Sequence, residues 1–270
     1  MNYSLDSVSK QYVFRRQTVP ALGSVSLSIG RGEAMAILGS SGAGKTTLFR
    51  LLNATLRPTS GFIHVDGREL GTMSTGELRR TRRRIGTVYQ QHHLIPSLTA
   101  LENTLCGCLG RWSLAETIRS MLRPAKNDLE EAVHALELVE LADKRNARAD
   151  ELSGGQQQRL AIARVLMQKP EVILADEPVA SLDPALTEEV MSLLMRVGSE
   201  ENRTLVVAVH KVELALERFP RVIGLRGGAV FFDRPSRSVD EDLLEGLYTG
   251  YRQERGTQID KLRREFGCSR

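Results

Sequence analysis

The stretch Leu38 to Thr47, LGSSGAGKTT, carries the most specific chemistry in the chain. Gly39-Ser40-Ser41-Gly42-Ala43-Gly44-Lys45-Thr46 fits the pattern G-x-x-x-x-G-K-[ST]. Glycines let the backbone curl around a phosphate and turn successive N–H groups inward. A helix starting at the end of the loop adds partial positive charge. Lys45 can then reach the β- and γ-phosphates of a nucleotide, and the Thr46 hydroxyl, followed by Thr47, can meet Mg²⁺.

Three further groups fit that chemistry. VILADE, Val172 to Glu177, ends an apolar run in two carboxylates. Asp176 would complete the Mg²⁺ environment at a strand's carboxyl end, where ligands of open α/β sheets bind. Glu177, one residue on, is suited to polarise a water against the γ-phosphate. His210 follows the run TLVVAV, where an imidazole could hydrogen-bond the γ-phosphate and sense it. Gln90 ends the run IGTVYQ in the same way, and its uncharged amide can touch both Mg²⁺ and water without holding either permanently. A second anion cradle stands at Glu151 to Arg159, ELSGGQQQR, where a serine and two glycines precede a helix-compatible run. It has no lysine.

The surrounding pattern supplies elements to position these groups. AMAIL (Ala34 to Leu38) reads as a buried parallel strand running into the first cradle, and KTTLFRLLNATL as the helix leaving it. VSLSI alternates as a half-buried strand does, and FIHV precedes an Asp66-Gly67 turn. Asn127 or Asp128 can cap a helix with Leu129, Val133 and Leu136 on one face. A helix over Gly154 to Gln168 ends before Pro170, and EVILADE and TLVVAVH are further buried strands. Strands alternating with helices predict a parallel sheet. RRTRRR, Arg79 to Arg84, reads as a solvated helix end and not as a nucleic-acid patch, because no aromatic residues interleave it.

Composition bounds the rest. The 270 residues are 41% hydrophobic, with 37 basic against 33 acidic, so the chain is folded and only mildly basic. No apolar run approaches the roughly 18 residues that cross a bilayer, and the first residues lack the layout of a secretion signal; a cytosolic chain is expected. Cys106, Cys108 and Cys268 have no zinc-like spacing and read as reduced thiols. After Gly250 the chain turns basic; Thr257 and Asp260 could cap a short helix with Ile259, Leu262 and Phe266 on one stripe.

Together these motifs resemble the ATP-binding-cassette ATPases, from roughly Tyr3 to Gly250. LSGGQ at Leu152 to Gln156 is that family's signature, and Ser181-Leu182-Asp183 is similar to its dimer-contact loop. The resemblance implies an α/β P-loop NTPase fold: a RecA-like parallel-sheet core, an N-terminal antiparallel β subdomain and an inserted helical subdomain over about 91–165. The cassette would span 1–250, with 251–270 a basic tail. It further implies a head-to-tail dimer with ATP and Mg²⁺ between the chains. Each ATP would rest on one chain's Gly39–Thr47 loop and be closed over by the other's Ser153, Gly154, Gly155, Gln156 and Asp183, which explains a cradle without lysine. Tyr12 would stack on adenine. Thr46, Gln90 and Asp176 would hold the metal, and Glu177, His210 and Gln90 would serve catalysis.

By the same resemblance the partners are a second copy, an integral membrane permease and, indirectly, a periplasmic or extracellular substrate-binding protein, with no nucleic acid. The place of action would be the cytoplasmic face of the cell membrane. In the family, the segment after Gln90 forms a groove for a short permease helix. LGRW at Leu109, ILADEPVASLDP at Ile173 and VHKVELA at Val209 are similar to the phosphonate-import ATPases. Lys211 departs from them, since an acidic residue is usual there. The alternatives are the same enzyme with another cargo (amino-acid import, lipoprotein or drug export) and a soluble cassette ATPase acting on DNA or ribosomes. The last normally carries long insertions or two cassettes, and this chain has one.

Overall fold

The computed structural model describes residues 1–14, 17–180 and 182–249. The expected stripe after Thr257 and the serine of Ser181-Leu182-Asp183 lie outside them. In chain order the strands and helices are β1 (Tyr3–Phe14), β2 (Gln17–Ile29), β3 (Ala34–Leu38), α1 (Lys45–Leu52), β4 (Ser60–Val65), β5 (Arg68–Glu69), α2 (Thr75–Arg83) and β6 (Ile85–Val88). There follow α3 (Ala100–Leu105), α4 (Leu114–Leu122), α5 (Lys126–Leu138), α6 (Gly154–Met167), β7 (Val172–Asp176), α7 (Pro184–Ser199), β8 (Thr204–Ala208), α8 (Val212–Arg218), β9 (Arg221–Arg226) and β10 (Ala229–Pro235).

The apolar runs form the centre of one sheet, ordered β10-β9-β3-β8-β7-β6. Strands β9, β3, β8, β7 and β6 pair in parallel, and β10 closes the edge antiparallel to β9. A parallel sheet needs cover on both faces, which is why these strands read as continuous apolar runs. The period of two divides them between two cores. Ala36, Leu38, Ile173, Ala175, Leu205 and Val207 face a core shared with α3, α5, α6 and α7. Met35, Ile37, Val172, Leu174, Val206 and Ala208 face the other, shared with α1 and a second sheet. That second sheet is antiparallel, ordered β2-β1-β4-β5, and its buried face includes Leu5, Val25, Leu27, Ile29, Ile63 and Val65. The alternation of VSLSI therefore places Val25, Leu27 and Ile29 inward.

Two expectations are corrected. The helix of the second third begins on Ala125 as N-cap, not on Asn127 or Asp128. Asp128 instead accepts a hydrogen bond from the Trp112 indole at 3.2 Å, so its carboxylate is committed elsewhere. The fully buried residues of α5 are Ala132, Ala135 and Leu136, while Leu129 and Val133 are half-buried. Leu136 and Leu129 of the expected stripe pack in the same core as these alanines, where α5 meets α3 and α6. The helix leaving the first cradle is also shorter than expected, ending at Leu52 with Asn53 as C-cap. The arginine run closes α2, whose start carries a Ser74–Glu77 capping box, just before β6.

Candidate nucleotide site

Four loops leave the carboxyl ends of adjacent strands. The Gly39–Gly44 loop follows β3, His210 lies two residues past β8, Glu177 directly follows β7, and Gln90 lies two residues past β6. Register sets them level: Ile37 pairs with Ala208, Ala208 with Asp176, and Ala175 with Val88. Groups from four distant parts of the sequence thus meet at one sheet edge.

The loop is built for close backbone approach. Gly44 caps α1 with φ 103°, and a Cβ there would lie 2.7 Å from Leu22 Cδ2 and 2.8 Å from the Ala21 carbonyl oxygen. A Cβ on Gly39 would lie 2.5 Å from the Leu225 carbonyl oxygen. Ser40, Ser41, Gly42, Ala43, Thr46 and Thr47 complete the turn and first helical residues, with Ser41, Gly42 and Thr46 exposed and Ala43 buried.

Lys45 is buried at the centre of the site. Its Nζ donates to the Gly39 and Ser40 carbonyl oxygens at 2.8 and 3.2 Å and lies 3.3 Å from Glu177 Oε1. Burial pushes its pKa down, against the opposing pull of Glu177 and Asp176. Asp176 is 9% exposed, and burial raises its carboxyl above the usual range, countered in part by a hydrogen bond with Thr46. Glu177 takes φ 53°, a conformation costly for a residue with a Cβ, and its N–H donates to the Ala208 carbonyl at 3.1 Å. That turn sends its carboxylate away from Asp176's course and to His210, whose Nε2 lies 2.6 Å from Oε1.

The Asp176 environment fits a metal ion. Its Oδ1 is buried with no hydrogen-bond partner among the described residues, and Thr46, the expected hydroxyl ligand, stands beside the same side chain. Gln90 is exposed, and no hydrogen bond among the described residues joins it to Lys45, Asp176, Glu177 or His210.

The second cradle stands apart from this cluster. Ser153 is the N-cap of α6 in a capping box: its Oγ accepts from the Gln156 N–H at 3.3 Å, and Gln156 Oε1 accepts from the Ser153 N–H at 3.0 Å. Ser153 and Gly154 are exposed, whereas Gly155 is buried, with room for a Cβ closed by Leu186 at 2.9 Å. The N–H groups of Gly154 and Gly155 carry no hydrogen bond among the described residues. Asp183 is likewise a cap, its Oδ1 accepting from the Leu186 N–H at 3.0 Å ahead of Pro184. Tyr12 is half-buried on β1 opposite Val19, with Lys10 Nζ 5.7 Å from its ring centroid, and no side-chain hydrogen bond among the described residues joins it to the phosphate loop.

Sequence reading missed several contacts. The S-x-x-Q spacing of 153–156 is itself a capping signature and could have been found. Nothing local signals the Asn53–Tyr89 hydrogen bond at 3.5 Å, or the Arg164 guanidinium that bonds the carbonyl oxygens of His92 and His93. Arg79, Arg82, Arg83, Arg164 and Cys106 line a cavity of about 310 Å³ beside this turn. Leu109 and Ile95 are 43% and 44% exposed on the segment that follows. Cys106 and Cys108 are free thiols, and no metal-binding cluster of His, Cys, Asp or Glu occurs among the described residues.

A glycine-and-lysine loop between strand and helix, with a buried aspartate and a turned-out glutamate on a neighbouring parallel strand, defines a phosphate-loop nucleotidase. The model of the family described as ABC transporter matches residues 22–180. The chain is 44% identical over 241 residues to the phosphonates import ATP-binding protein PhnC of Pseudomonas fluorescens, covering 89% of this chain and 90% of that one. It is 44% identical over 246 residues to PhnC 2 of Cupriavidus metallidurans, covering 91% and 86%. Among solved structures it is similar to the dimeric MJ0796 ABC transporter cassette, with a TM-score of 0.77 and 35% identity over 88% of this chain and all of that one. A post-hydrolysis dimer of that cassette, bound to ADP and Pi, gives a TM-score of 0.75 with 34% identity over the same shares of the two chains.

The chain belongs to the ABC transporter family and is an ABC ATPase. The expected fold is present: a parallel core, an antiparallel β sheet built largely from the N-terminal strands, and helices inserted between β6 and β7. No helix among the described residues is long and apolar enough to cross a membrane.

Proposed function

We propose that this chain is the ATP-hydrolysing subunit of an importer for phosphonate or a related phosphorus oxyanion, and that it drives a separate membrane permease. One observation carries the reading: the phosphate loop, Asp176, Glu177 and His210 gather at one sheet edge in a chain matching phosphonate-import ATP-binding proteins over about nine-tenths of its length.

In this reading the phosphates of ATP lie on the Gly39–Thr47 loop and draw the Lys45 ammonium to them. Glu177 is then free to take a proton from water as its oxygen attacks the γ-phosphorus and ADP leaves. His210 orients Glu177 and meets the γ-phosphate. Thr46, Asp176 and Gln90 hold Mg²⁺, which neutralises phosphate charge when bound. Tyr12 stacks on adenine.

A second copy, arranged head-to-tail, closes the site with Ser153, Gly154, Gly155, Gln156 and Asp183. The capping geometry supports this role. Ser153 Oγ accepts from the Gln156 N–H and keeps its proton to donate, and the Gly154 and Gly155 N–H groups have no hydrogen-bond partner among the described residues. Closing and reopening of the pair is the mechanical output. The permease meets the helical subdomain of about 91–165, where exposed Ile95 and Leu109 need cover. The ATPase works at the cytoplasmic face of the membrane, and a substrate-binding protein delivers cargo on the far side. The cassette spans 1–250, with a separate tail beyond.

The test is growth on a phosphonate as sole phosphorus source. Lys45→Ala in the resident gene should abolish it and spare growth on inorganic phosphate. Unchanged growth on phosphonate, with uptake of another solute lost, would reassign the cargo while keeping the ATPase.

A further inference from the structure

The Gln90 side chain makes no hydrogen bond among the described residues, so its place depends on how the turn around it is anchored. That turn is held at two points. Toward α1, the Tyr89 hydroxyl accepts from Asn53 Nδ2 at 3.5 Å, and the Tyr89 and His93 rings lie 4.7 Å apart. Toward α6, the hold is stronger. Arg164 donates from one guanidinium nitrogen to the His93 carbonyl at 2.5 Å and from another to the His92 carbonyl at 2.7 Å.

The backbone needs that hold. His92 and His93 take φ 30° and 50° in succession, a conformation residues with a Cβ adopt only when their surroundings impose it. A planar guanidinium spans two successive carbonyls with fixed geometry, and a lysine would meet them as a point charge. Arg164 and Ser153 belong to one helix, so the turn that carries Gln90 is tied to the same rigid element as the second cradle.

We propose that Arg164 is a positioning residue for the ATPase reaction: by clamping the His92 and His93 carbonyls to α6, it sets where the Gln90 amide stands at the carboxyl edge of the sheet. This rests on the role given to Gln90 above. It differs from a merely structural arginine in acting through one other side chain.

A double-mutant cycle on the purified full chain tests it, with kcat and KM for ATP measured alongside melting temperature. Arg164→Gln should lower kcat by about 10–100-fold, the scale of a misplaced catalytic group, with KM for ATP little changed. Arg164→Lys should recover part of the loss. In the Gln90→Ala background, Arg164→Gln should cost nothing more. Multiplying effects, or a kcat loss that follows the melting temperature, would overturn the clamp and leave the Gln90 role standing. Wild-type turnover in Gln90→Ala would sink both. If Arg164→Gln does not fold, the same cycle with Arg164→Lys decides: a kcat defect that vanishes in the Gln90→Ala background supports the clamp, and one that persists overturns it.

Discussion

Nε2 of His210 and Nζ of Lys45 approach the same oxygen, Oε1 of Glu177, at 2.6 and 3.3 Å. The carboxylate suited to activate water is thus engaged by the lysine suited to bind phosphate. Glu177→Gln keeps the shape and removes the base. Hydrolysis should fall by about 10²–10⁴-fold, while equilibrium titration shows ATP binding intact. Near-normal turnover would remove Glu177 from the chemistry.

Asp176 should cost the free chain stability. Burial raises its carboxyl pKa, so the folded chain keeps this proton to a higher pH than the unfolded chain does. Stability is then greatest below the ordinary carboxylate value and falls as pH rises from there through the raised value. At neutral pH, Asp176→Asn should raise the melting temperature, by about 2–4 °C for each kcal/mol recovered in a chain of this size. The gain should shrink in acid, and Mg²⁺-dependent hydrolysis should be lost. A lowered melting temperature at pH 7 would contradict the burial argument.

Tyr12 stands on an open strand end, with Val19 opposite and 51% exposed. If it stacks on adenine, Tyr12→Ala should weaken ATP binding by about 1–3 kcal/mol, the range for a stacked base. Tyr12→Trp should retain it. Calorimetry on the Glu177→Gln background measures both, and equal affinity in all three would exclude the stack.

Gly44→Ala forces a side chain into contact with Leu22 and the Ala21 carbonyl at a backbone angle that disfavours it. Nucleotide binding should be lost together with stability, read by titration and thermal melting. Gly154→Ala has open space around it and should leave the monomer's melting temperature within about 1 kcal/mol of the parent, the helix-propensity scale.

The sheet was legible because a buried parallel strand needs a continuous apolar run, and AMAIL, VILAD and TLVVA are such runs between polar neighbours. The phosphate loop was legible for a similar reason, since few residue types other than glycine fit its contacts. The α5 start was not, because the decisive partner lies outside the helix: Trp112 donates to Asp128, and Ala125 takes the N-cap position. Arg164 was invisible for the same reason. Its partners are backbone carbonyls, which leave no mark on residue type.

In the proposed assembly two copies of this chain grip one nucleotide from both sides. Light scattering on Glu177→Gln with Mg²⁺ and ATP tests it most directly. The parent mass is 30.0 kDa, and it should double on ATP addition, a change that Ser153→Arg should abolish without weakening ATP binding by the monomer. A chain that binds ATP and stays single, even beside its permease, or a Ser153→Arg variant that pairs normally, would contradict it.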